Sequence, residues 1–254
     1  MRSDLARALE LTAGAAQVAL RHFHGTLGID IKADESPVTV ADRETETALR
    51  RAIAETFPGD GIYGEEFGSE GMERARIWVV DPIDGTRSFI AGVPLFGLLL
   101  ALVADGVPEL GIVRLPALGR VYAAARGQGA RRDGCPIRTS GVTRLDAAML
   151  FVNEGEKIHA DRPDLFARLM GAGRLRRLSY DCQPHALLAE GRVDAVVDYR
   201  LQPYDYLPLV PLIEEAGGVI TDWQGRPLGF GRDVAVVSAA SPDLHRELLA
   251  LLNS

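Results

Sequence analysis

Apolar residues recur every three or four positions at the start of the chain, which predicts an amphipathic helix over residues 3–24. Ser3 stands where an N-cap is expected. A second helix is predicted over 41–57, because Pro58-Gly59 follows its last apolar position. Between the two helices, the segment KADESPVTVADRE predicts a short turn or hairpin around Pro37. The inward-facing positions of both helices are predicted to be Leu5, Leu9, Ala16, Leu20, Phe23, Ala41, Ala48, Leu49, Ala52, Ile53 and Phe57.

From residue 77 the pattern changes to short apolar runs separated by turn-forming residues. The run IWVV at 77–80 predicts a buried strand that leads directly into Asp81. Asp105-Gly106 is one of the turn signals that separate the runs after it. Three consecutive strands are therefore predicted over 95–103, 108–115 and 120–125.

The second half of the chain alternates candidate strands with candidate helices. The strands are predicted over 149–153, 177–178, 193–197 and 234–237, and the helices over 161–170, 184–190, 206–216 and 241–252. Pro208 is acceptable in a first helical turn, whereas Pro211 is expected to bend its segment. A meander followed by such alternation predicts a layered α/β architecture with two closely joined sheets. We expect one domain over 1–254, with possible subdomains 1–135 and 136–254.

The composition is that of an ordinary globular protein, with 47% hydrophobic and 25% charged residues in a chain of 254. Because no apolar run reaches the roughly 20 residues that span a bilayer, and the first residues lack a signal-peptide layout, we expect a cytoplasmic protein without a membrane partner. Cys135 and Cys182 are expected to stay reduced and show no zinc-binding spacing. The net charge of -7 argues against nucleic acid as a partner.

Three acidic clusters carry the candidate chemistry: GEE at 64–66, DPIDGT at 81–86 and YD at 204–205. The middle cluster ends a predicted buried strand, so it places Asp81 and Asp84 in one stiff loop. Carboxylates this close repel each other unless a cation lies between them. Oxygen ligands of this kind suit Mg²⁺ or Mn²⁺ and not zinc.

Gly85 and Thr86 complete this loop in a way that suits a phosphate group. The backbone N–H groups there are unobstructed at Gly85, and a helix that began at this point would strengthen an anion site. The hydroxyl of Thr86 could orient a water molecule. For an isolated D-x-x-D pair, a solvated acidic turn with a threonine cap is the better interpretation. The complete string after a buried strand, with GEE upstream, favours the metal site.

The order of GEE, WVVDPIDGTRSF, YD and then EAGG at 215–218 resembles the inositol monophosphatase superfamily. The resemblance extends over nearly the whole chain, from Lys32 to the 205–222 region, and its middle motif is the most specific part. It implies an αβαβα sandwich of the inositol monophosphatase and fructose-1,6-bisphosphatase type. It also implies lithium-sensitive-type, Mg²⁺-dependent hydrolysis of a small phosphomonoester, usually by a homodimer.

The resemblance further implies roles for individual residues. A first metal ion would be held by Glu65, Asp81 and the backbone carbonyl of Ile83. A second would be held by Asp81, Asp84 and Asp205, and a further one, through water, by Asp42. The phosphate would rest on Gly85 and Thr86. Thr86 and Glu65 would orient a metal-activated water for direct attack, so no covalent phospho-enzyme is implied.

Two stretches, at 179–191 and 203–211, resemble the histidinol-phosphate phosphatase branch of this superfamily. Histidinol phosphate carries an amine and an imidazole, so its pocket is expected to present carboxylates. We place Asp181 and Asp198 there, together with Asp205. Related enzymes usually have Glu at the position of Asp198, and from the residues alone Asp198 could equally face water at a strand end.

Three functions remain open from the sequence. The first is hydrolysis of L-histidinol phosphate in histidine biosynthesis, and the second is inositol-1-monophosphatase or broader sugar-phosphate phosphatase activity. The third is a catalytically silent regulator, against which the intact acids argue. Elsewhere, His185 is interpreted as a surface or packing residue at a helix start, Arg87 as a solvated surface residue, and His22 and His24 as helix-end residues. The run 174–177 is predicted to be an exposed rim or part of a dimer surface.

Overall fold

Two helices near the N-terminus pack side by side on one face of a large sheet. The computed structural model describes residues 2–23, 25, 29–31, 37–231 and 233–254. The helices are α1 (Arg2–Phe23) and α2 (Val40–Thr56), as predicted within a residue at each end. Ser3 is not the N-cap of α1, because the helix already begins at Arg2. The cap of α2 is Thr39, whose hydroxyl accepts a hydrogen bond from the Ala41 N–H, and Asp42 closes a capping box.

The turn predicted between these helices falls partly outside the described residues, which exclude His24 and Lys32. Its flanks are two short strands, β1 (Ile29–Ile31) and β2 (Pro37–Thr39). They pair antiparallel, as a hairpin requires.

The large sheet has eight strands in the order β10-β9-β8-β7-β6-β5-β3-β4. Its strands are β3 (Gly61–Gly64), β4 (Gly68–Glu70), β5 (Arg76–Asp84), β6 (Gly97–Ala104), β7 (Val107–Leu115), β8 (Arg120–Ala125), β9 (Ala130–Arg132) and β10 (Cys135–Pro136). The four strands predicted here are confirmed, and β5 runs further than expected, through the acidic motif. The short strands β3, β4, β9 and β10 lack an apolar alternation and were not predicted. All neighbours are antiparallel except β3 and β5.

The second sheet has five strands in the order β12-β11-β13-β15-β14. They are β11 (Met149–Asn153), β12 (Leu175–Ser179), β13 (Ala195–Leu201), β14 (Val219–Asp222) and β15 (Val234–Ala239). Strand β11 is parallel to both of its neighbours, and the remaining pairs are antiparallel. The four strands predicted here are confirmed, and β14 was not predicted.

Two of the helices predicted in the second half, over 161–170 and 206–216, differ from the helices of the structure. Past the five-residue α3 (Thr86–Ile90), the helices of the structure are α4 (Gly155–Asp161), α5 (Pro163–Gly171), α6 (Gln183–Ala189), α7 (Pro203–Tyr206), α8 (Leu209–Glu215) and α9 (Pro242–Leu252). The helix predicted over 161–170 begins after Arg162, because a residue before proline disfavours the helical conformation. The helix predicted over 206–216 is broken at 207–208, and α8 continues through Pro211. That proline lies in the first turn of α8, where its missing N–H would have no partner within the helix.

Three apolar layers hold the two sheets and three groups of helices together. Side chains alternate across β5, so Trp78 and Val80 pack against α1 and α2 while Val79 faces the other side. On that side, α6 and α8 pack between the two sheets, with Ala186 and Leu212 fully buried. Helices α4, α5 and α9 cover the outer face of the five-stranded sheet. The sequence-based prediction of a layered αβαβα sandwich is confirmed.

The boundary between the predicted subdomains, after residue 135, falls inside β10, the last strand of the large sheet, and the second sheet begins at Met149. One apolar cluster nevertheless joins strands of both sheets through α6 and α8. The division into 1–135 and 136–254 stays a prediction. In the described part of the chain, every helix is too short or too polar to cross a bilayer. Both cysteines are free thiols, Cys135 exposed and Cys182 buried.

Candidate active site

The candidate site begins where β5 leaves the regular sheet. Its pairing with β6 shifts register between Asp81 and Asp84, so the strand bends through the acidic motif. The Ile83 N–H donates to Oδ1 of Asp81 at 3.0 Å, which fixes that carboxylate against the turn. Gly85 then adopts a left-handed conformation, with φ of 86°, and α3 begins at Thr86. The helix start expected at this point is therefore present.

Asp81, Asp84 and Asp205 form a cluster in which one carboxylate oxygen from each lies within 4.8 Å of the others. Asp81 is on the same face of β5 as Val79 and so points toward the layer that holds α7. Asp205 belongs to α7, and its carboxylate accepts the N–H of Gln202 at 2.7 Å. The Cys182 N–H donates to Asp84 from the start of α6. Asp81 and Asp84 from the first half of the chain thus meet Asp205 from the second half in one acidic cluster. The spacing of the motifs alone could not show this contact.

Bringing these carboxyl groups together in a buried site raises their pKa values. Burial, followed by repulsion from Glu65 and Asp84, raises the pKa of Asp81 well above its ordinary range. Burial and then the charge of Asp181 do the same to the pKa of Asp84. Burial raises the pKa of Asp205 to about 8. A bound cation would remove this conflict, and carboxylate oxygens fit a hard divalent cation.

Glu65 lies beside this cluster and is not one of the three carboxylates within 4.8 Å. It follows β3, and because β3 and β5 are parallel their carboxyl ends reach the same edge of the sheet. The Glu65 N–H donates to the Val80 carbonyl at 3.2 Å. The charge of Glu65 contributes to the raised pKa of both Asp81 and Asp205.

Asp42 and Thr86 bring α2 to the same place. The buried carboxylate of Asp42 accepts the N–H and the hydroxyl of Thr39, at 2.8 and 2.6 Å. Its other oxygen lies 3.3 Å from the Thr86 hydroxyl, which is also 3.3 Å from the Ile83 carbonyl. Burial raises the pKa of Asp42. Asp42 therefore contacts the residue at which the predicted phosphate-binding turn ends.

A cleft of about 510 Å³ opens next to the acidic cluster. Asp181 and Asp198, both placed near a substrate from the sequence, line it. The Ser88 hydroxyl donates to Asp181 at 2.5 Å, and burial raises the pKa of Asp181 to about 6. The Asp181 carboxyl also lies directly above Gly85, where an added Cβ would be 2.5 Å from its Cγ.

Asp198 is buried, so the interpretation as a strand-end acid facing water is wrong, while its contact with a substrate stays a prediction. It is buried in β13 and accepts the Asn153 amide at 2.8 Å. His185 lies 3.2 Å from the same oxygen and 3.0 Å from the Ser238 hydroxyl. His185 is therefore a buried packing residue and not a surface residue.

Of the two aspartates, Asp198 has a buried partner, since Nε2 of His185 lies 3.2 Å from its carboxylate. Among the described residues, the Asp181 carboxylate has only the Ser88 hydroxyl. Among the cleft residues, Glu154 pairs with Lys157 at 2.6 Å, and Glu156 lies 3.7 Å from Arg87. Within the described ranges, neither Asp181 nor Asp198 forms an ion pair with a lysine or an arginine. The cleft beyond the acidic cluster therefore favours a positively charged group near Asp181.

Sequence reasoning missed several residues of this cleft, among them Glu154 and Arg200. Both have positive φ, at 50° and 60°, as does Asp181 at 63°. Such backbone conformations are costly for residues other than glycine and often occur at functional sites. Glu154 directly follows the strand predicted over 149–153, so its position at a strand end was the available signal. Arg200 had no such signal, because it lies inside β13.

The residues set aside in the sequence lie mainly at the surface. The Arg87 side chain is 69% exposed, consistent with its interpretation as a solvated residue. His22 contacts Glu44 at 2.9 Å near the end of α1. The run 174–177 is exposed, and all but its first residue lie on β12, an edge strand of the five-stranded sheet. Its assignment to a dimer surface stays a prediction.

Comparison with known proteins agrees with this geometry. A family model described as the inositol monophosphatase family matches residues 1–254. The histidinol-phosphatase of Chlorobaculum parvum is 40% identical over 230 residues, which cover 89% of this chain and 88% of that protein. The histidinol-phosphatase of Mycobacterium tuberculosis is 37% identical, with coverage of 99% and 98%. The structure of an inositol monophosphatase from Zymomonas mobilis is 36% identical, with a TM-score of 0.89 and coverage of 100% and 98%.

Proposed function

The chain belongs to the inositol monophosphatase family of phosphoric monoester hydrolases, and we propose that its substrate is L-histidinol phosphate, hydrolysed to L-histidinol and phosphate. The observation that carries the choice of substrate is Asp181, a carboxylate without an ion-pair partner among the described residues, in the cleft beside the acidic cluster and with Asp198 in the same lining. The two histidinol-phosphatases that match most of the chain support the same choice. The reaction would serve histidine biosynthesis.

We propose Mg²⁺ as the cation, with Mn²⁺ as a substitute and two to three ions in the site. The ligands would be Glu65, Asp81, the Ile83 carbonyl, Asp84 and Asp205, with Asp42 acting through water. The support is the chemistry of the donors, since buried carboxylates with raised pKa values ionise readily only beside positive charge. When bound, such cations supply Lewis acidity to the ester and to water.

The protein's own groups would position the reactants. The backbone at Gly85 has no side chain in the way, so its N–H and that of Thr86 can approach a phosphate oxygen. The Thr86 hydroxyl and the Glu65 carboxylate would orient the attacking water in line with phosphorus. Asp42 holds the Thr86 hydroxyl from the opposite side at 3.3 Å.

The leaving group would lie in the cleft, beyond the phosphate. Histidinol carries an ammonium group and an imidazole, and each can donate to a carboxylate. Asp181 stands nearest the phosphate-binding turn, and Asp198 is held farther along by Asn153 and His185. A carboxylate that accepts from a charged donor gives the stronger class of hydrogen bond.

Inositol-1-monophosphatase or broader sugar-phosphate phosphatase activity is the second candidate. It is favoured by the likeness to the Zymomonas mobilis inositol monophosphatase over the whole chain. A neutral polyol would leave Asp181 without a cationic partner, which is why we rank it second. A catalytically silent regulator is the least supported, because the acids of all three motifs are intact in the sequence. The cytoplasmic location and the homodimer stay predictions.

A phosphate-release assay with Mg²⁺ tests the proposal. Histidinol phosphate, inositol 1-phosphate, fructose 1,6-bisphosphate and an adenosine bisphosphate are compared at equal concentration. We expect kcat/KM for histidinol phosphate to exceed the others by at least about tenfold, as one charged hydrogen bond would supply. A preference for inositol phosphate would overturn the substrate and leave the metal-dependent chemistry standing. Complementation of a histidine auxotroph then tests the biological role.

A further inference from the structure

Glu46 is a fully buried carboxylate on α2 for which the proposed reaction has no use. It lies one helical turn after Asp42, on the same buried face. A charge in this position is costly unless it is paired and hydrogen-bonded. The hydrogen-bond partners of Glu46 therefore indicate its role in the structure.

Among the described residues, the hydrogen-bond partners of the Glu46 carboxylate belong to α2 itself or to the turn that carries Glu65. Oε2 accepts the Glu66 N–H at 2.8 Å, and Oε1 lies 3.3 Å from the Phe67 N–H. Arg50, one turn further along α2, donates from Nε to Oε1 at 2.7 Å. The same arginine donates from Nη2 to the Gly68 carbonyl. The pair of Glu46 and Arg50 thus holds the residues that directly follow Glu65.

Gly64, the residue before Glu65, has no side chain and so leaves room for Glu46 and Arg50. A Cβ added at Gly64 would lie 2.1 Å from Oε1 of Glu46 and 2.9 Å from Nη2 of Arg50. Because Glu46 is fully buried, it has no room to move aside. The glycine of the GEE motif is therefore required by Glu46, a relationship that the motif alone does not reveal.

On its other side, Glu65 is held by the sheet, since its N–H donates to the Val80 carbonyl at 3.2 Å. The backbone of Glu65 is consequently fixed between the sheet and α2. We propose that Glu46, paired with Arg50, is a positioning residue that holds Glu65 at the cation site without contacting the cation. This inference rests on the metal ligands of the proposed function.

The substitution Glu46→Gln tests this inference. It keeps the shape of the side chain and replaces one carboxylate oxygen with an amide NH₂ group, which would face the N–H donor of Glu66 or of Arg50. Outer-shell partners of metal ligands typically contribute about 10- to 100-fold to metal affinity. We therefore expect the Kd for Mn²⁺, measured by calorimetry without substrate, to rise at least about tenfold. At saturating metal, kcat should change less than about threefold, since Glu65 is itself intact.

Glu215→Gln is the matched control. The Glu215 carboxylate also accepts two backbone amides, those of Gly127 and Gly129 at 2.8 and 2.7 Å, but in a loop that the candidate site does not include. We expect both substitutions to lower the melting temperature, and only Glu46→Gln to weaken Mn²⁺ binding. A folded Glu46→Gln protein with wild-type Mn²⁺ affinity would overturn the inference.

Arg50→Lys keeps the positive charge and loses the forked contact with Glu46 and Gly68. It should weaken Mn²⁺ binding in the same direction by about threefold or more. If Glu46→Gln fails to fold by circular dichroism, an Arg50→Lys protein with unchanged Mn²⁺ affinity overturns the inference instead. Absence of Mn²⁺ binding by the wild-type protein would be a different result, because it would contradict the metal site of the proposed function.

Discussion

The hydroxyl of Thr86 lies 3.3 Å from Oδ1 of Asp42, although 44 positions separate the two residues. Asp42 is itself held by the N–H and hydroxyl of Thr39 at the start of α2. The orientation of the Thr86 hydroxyl therefore depends on a helix that packs on the opposite face of the large sheet from α6 and α8. A change at the start of α2 is expected to reach the reaction centre through this contact.

Asp84→Asn is expected to abolish phosphate release and leave the fold intact. The substitution removes one of three carboxylates from a cluster in which burial and repulsion raise the pKa values. We expect kcat/KM to fall at least about 1,000-fold, as for loss of a group that acts mainly in the transition state. Without metal, the melting temperature should be unchanged or higher, because repulsion is relieved.

The control for this substitution is Asp146→Asn, at an exposed carboxylate paired with Arg144. It should leave both turnover and melting temperature near their wild-type values. An Asp84→Asn protein with unchanged turnover would contradict the proposed metal site.

The metal-free protein should lose stability as the pH rises from about 4 to about 8. In that window the folded protein retains a proton on Asp205, whose pKa is raised to about 8, while the unfolded chain has lost it. The free energy of unfolding therefore falls with increasing pH. Added Mg²⁺ should stabilise the protein more as the pH rises, because its ligands must be deprotonated.

The measurement is the melting temperature in EDTA and in Mg²⁺ across this pH range. Asp205→Asn is the reference, since subtracting its pH profile removes the contribution of the histidines. A wild-type profile that runs parallel to that of Asp205→Asn would show that Asp205 does not titrate with the raised pKa.

Asp181→Asn should change substrate preference more than turnover. The asparagine can still accept the Ser88 hydroxyl, so the turn is expected to keep its shape. Loss of a hydrogen bond to a charged group costs about 1.5–3 kcal/mol, equivalent to roughly 10- to 150-fold in KM for histidinol phosphate. For a neutral ester such as glycerol phosphate, KM should change less than about threefold. Equal effects on both substrates would argue against contact between Asp181 and the cationic leaving group.

Gly85→Ala should damage both stability and activity. The residue has φ of 86°, and its Cβ would lie 2.5 Å from Cγ of Asp181. A left-handed alanine costs about 1–3 kcal/mol, which lowers the melting temperature by roughly 2–4 °C per kcal/mol in a chain of this size. Gly14→Ala, in an open position of α1, should be neutral or stabilising.

The double variant Gly85→Ala/Asp181→Ala separates the two causes. It should recover the part of the loss that comes from the collision and keep the part that comes from the backbone. If Gly85→Ala alone melts at the wild-type temperature, the left-handed turn is not required by the fold.

The amphipathic elements and the motif residues could be predicted from the sequence because they depend on local spacing. The period of α2 and the apolar run of β5 indicate which faces are buried, and the acidic string directly follows the strand. Short strands such as β3 and β9 could not be predicted, since three or four residues give no readable period. The break at 207–208 was misplaced because Pro208 and Pro211 are close in sequence and only packing decides between them.

Asp198 shows most directly what local spacing leaves open. Its sequence context allowed a solvated strand end, whereas the structure buries it against His185 and Asn153. Glu154 and Arg200 line the cleft although neither belongs to a recognisable sequence motif. These positions depend on where parallel strands end next to one another, which is a property of the assembled sheet.

By itself, the sequence determined which groups could bind a cation and a phosphate, because Asp81, Pro82 and Asp84 lie within six consecutive residues that directly follow an apolar strand. Only the tertiary structure decided that Asp205 joins Asp81 and Asp84, that Asp181 lies over Gly85, and that Glu46 holds the turn after Glu65. The physical reason is that contacts between residues 20 to 124 positions apart depend on sheet register and on the packing of layers. Both are fixed by burial summed over the whole core, and neither can be read from a local pattern.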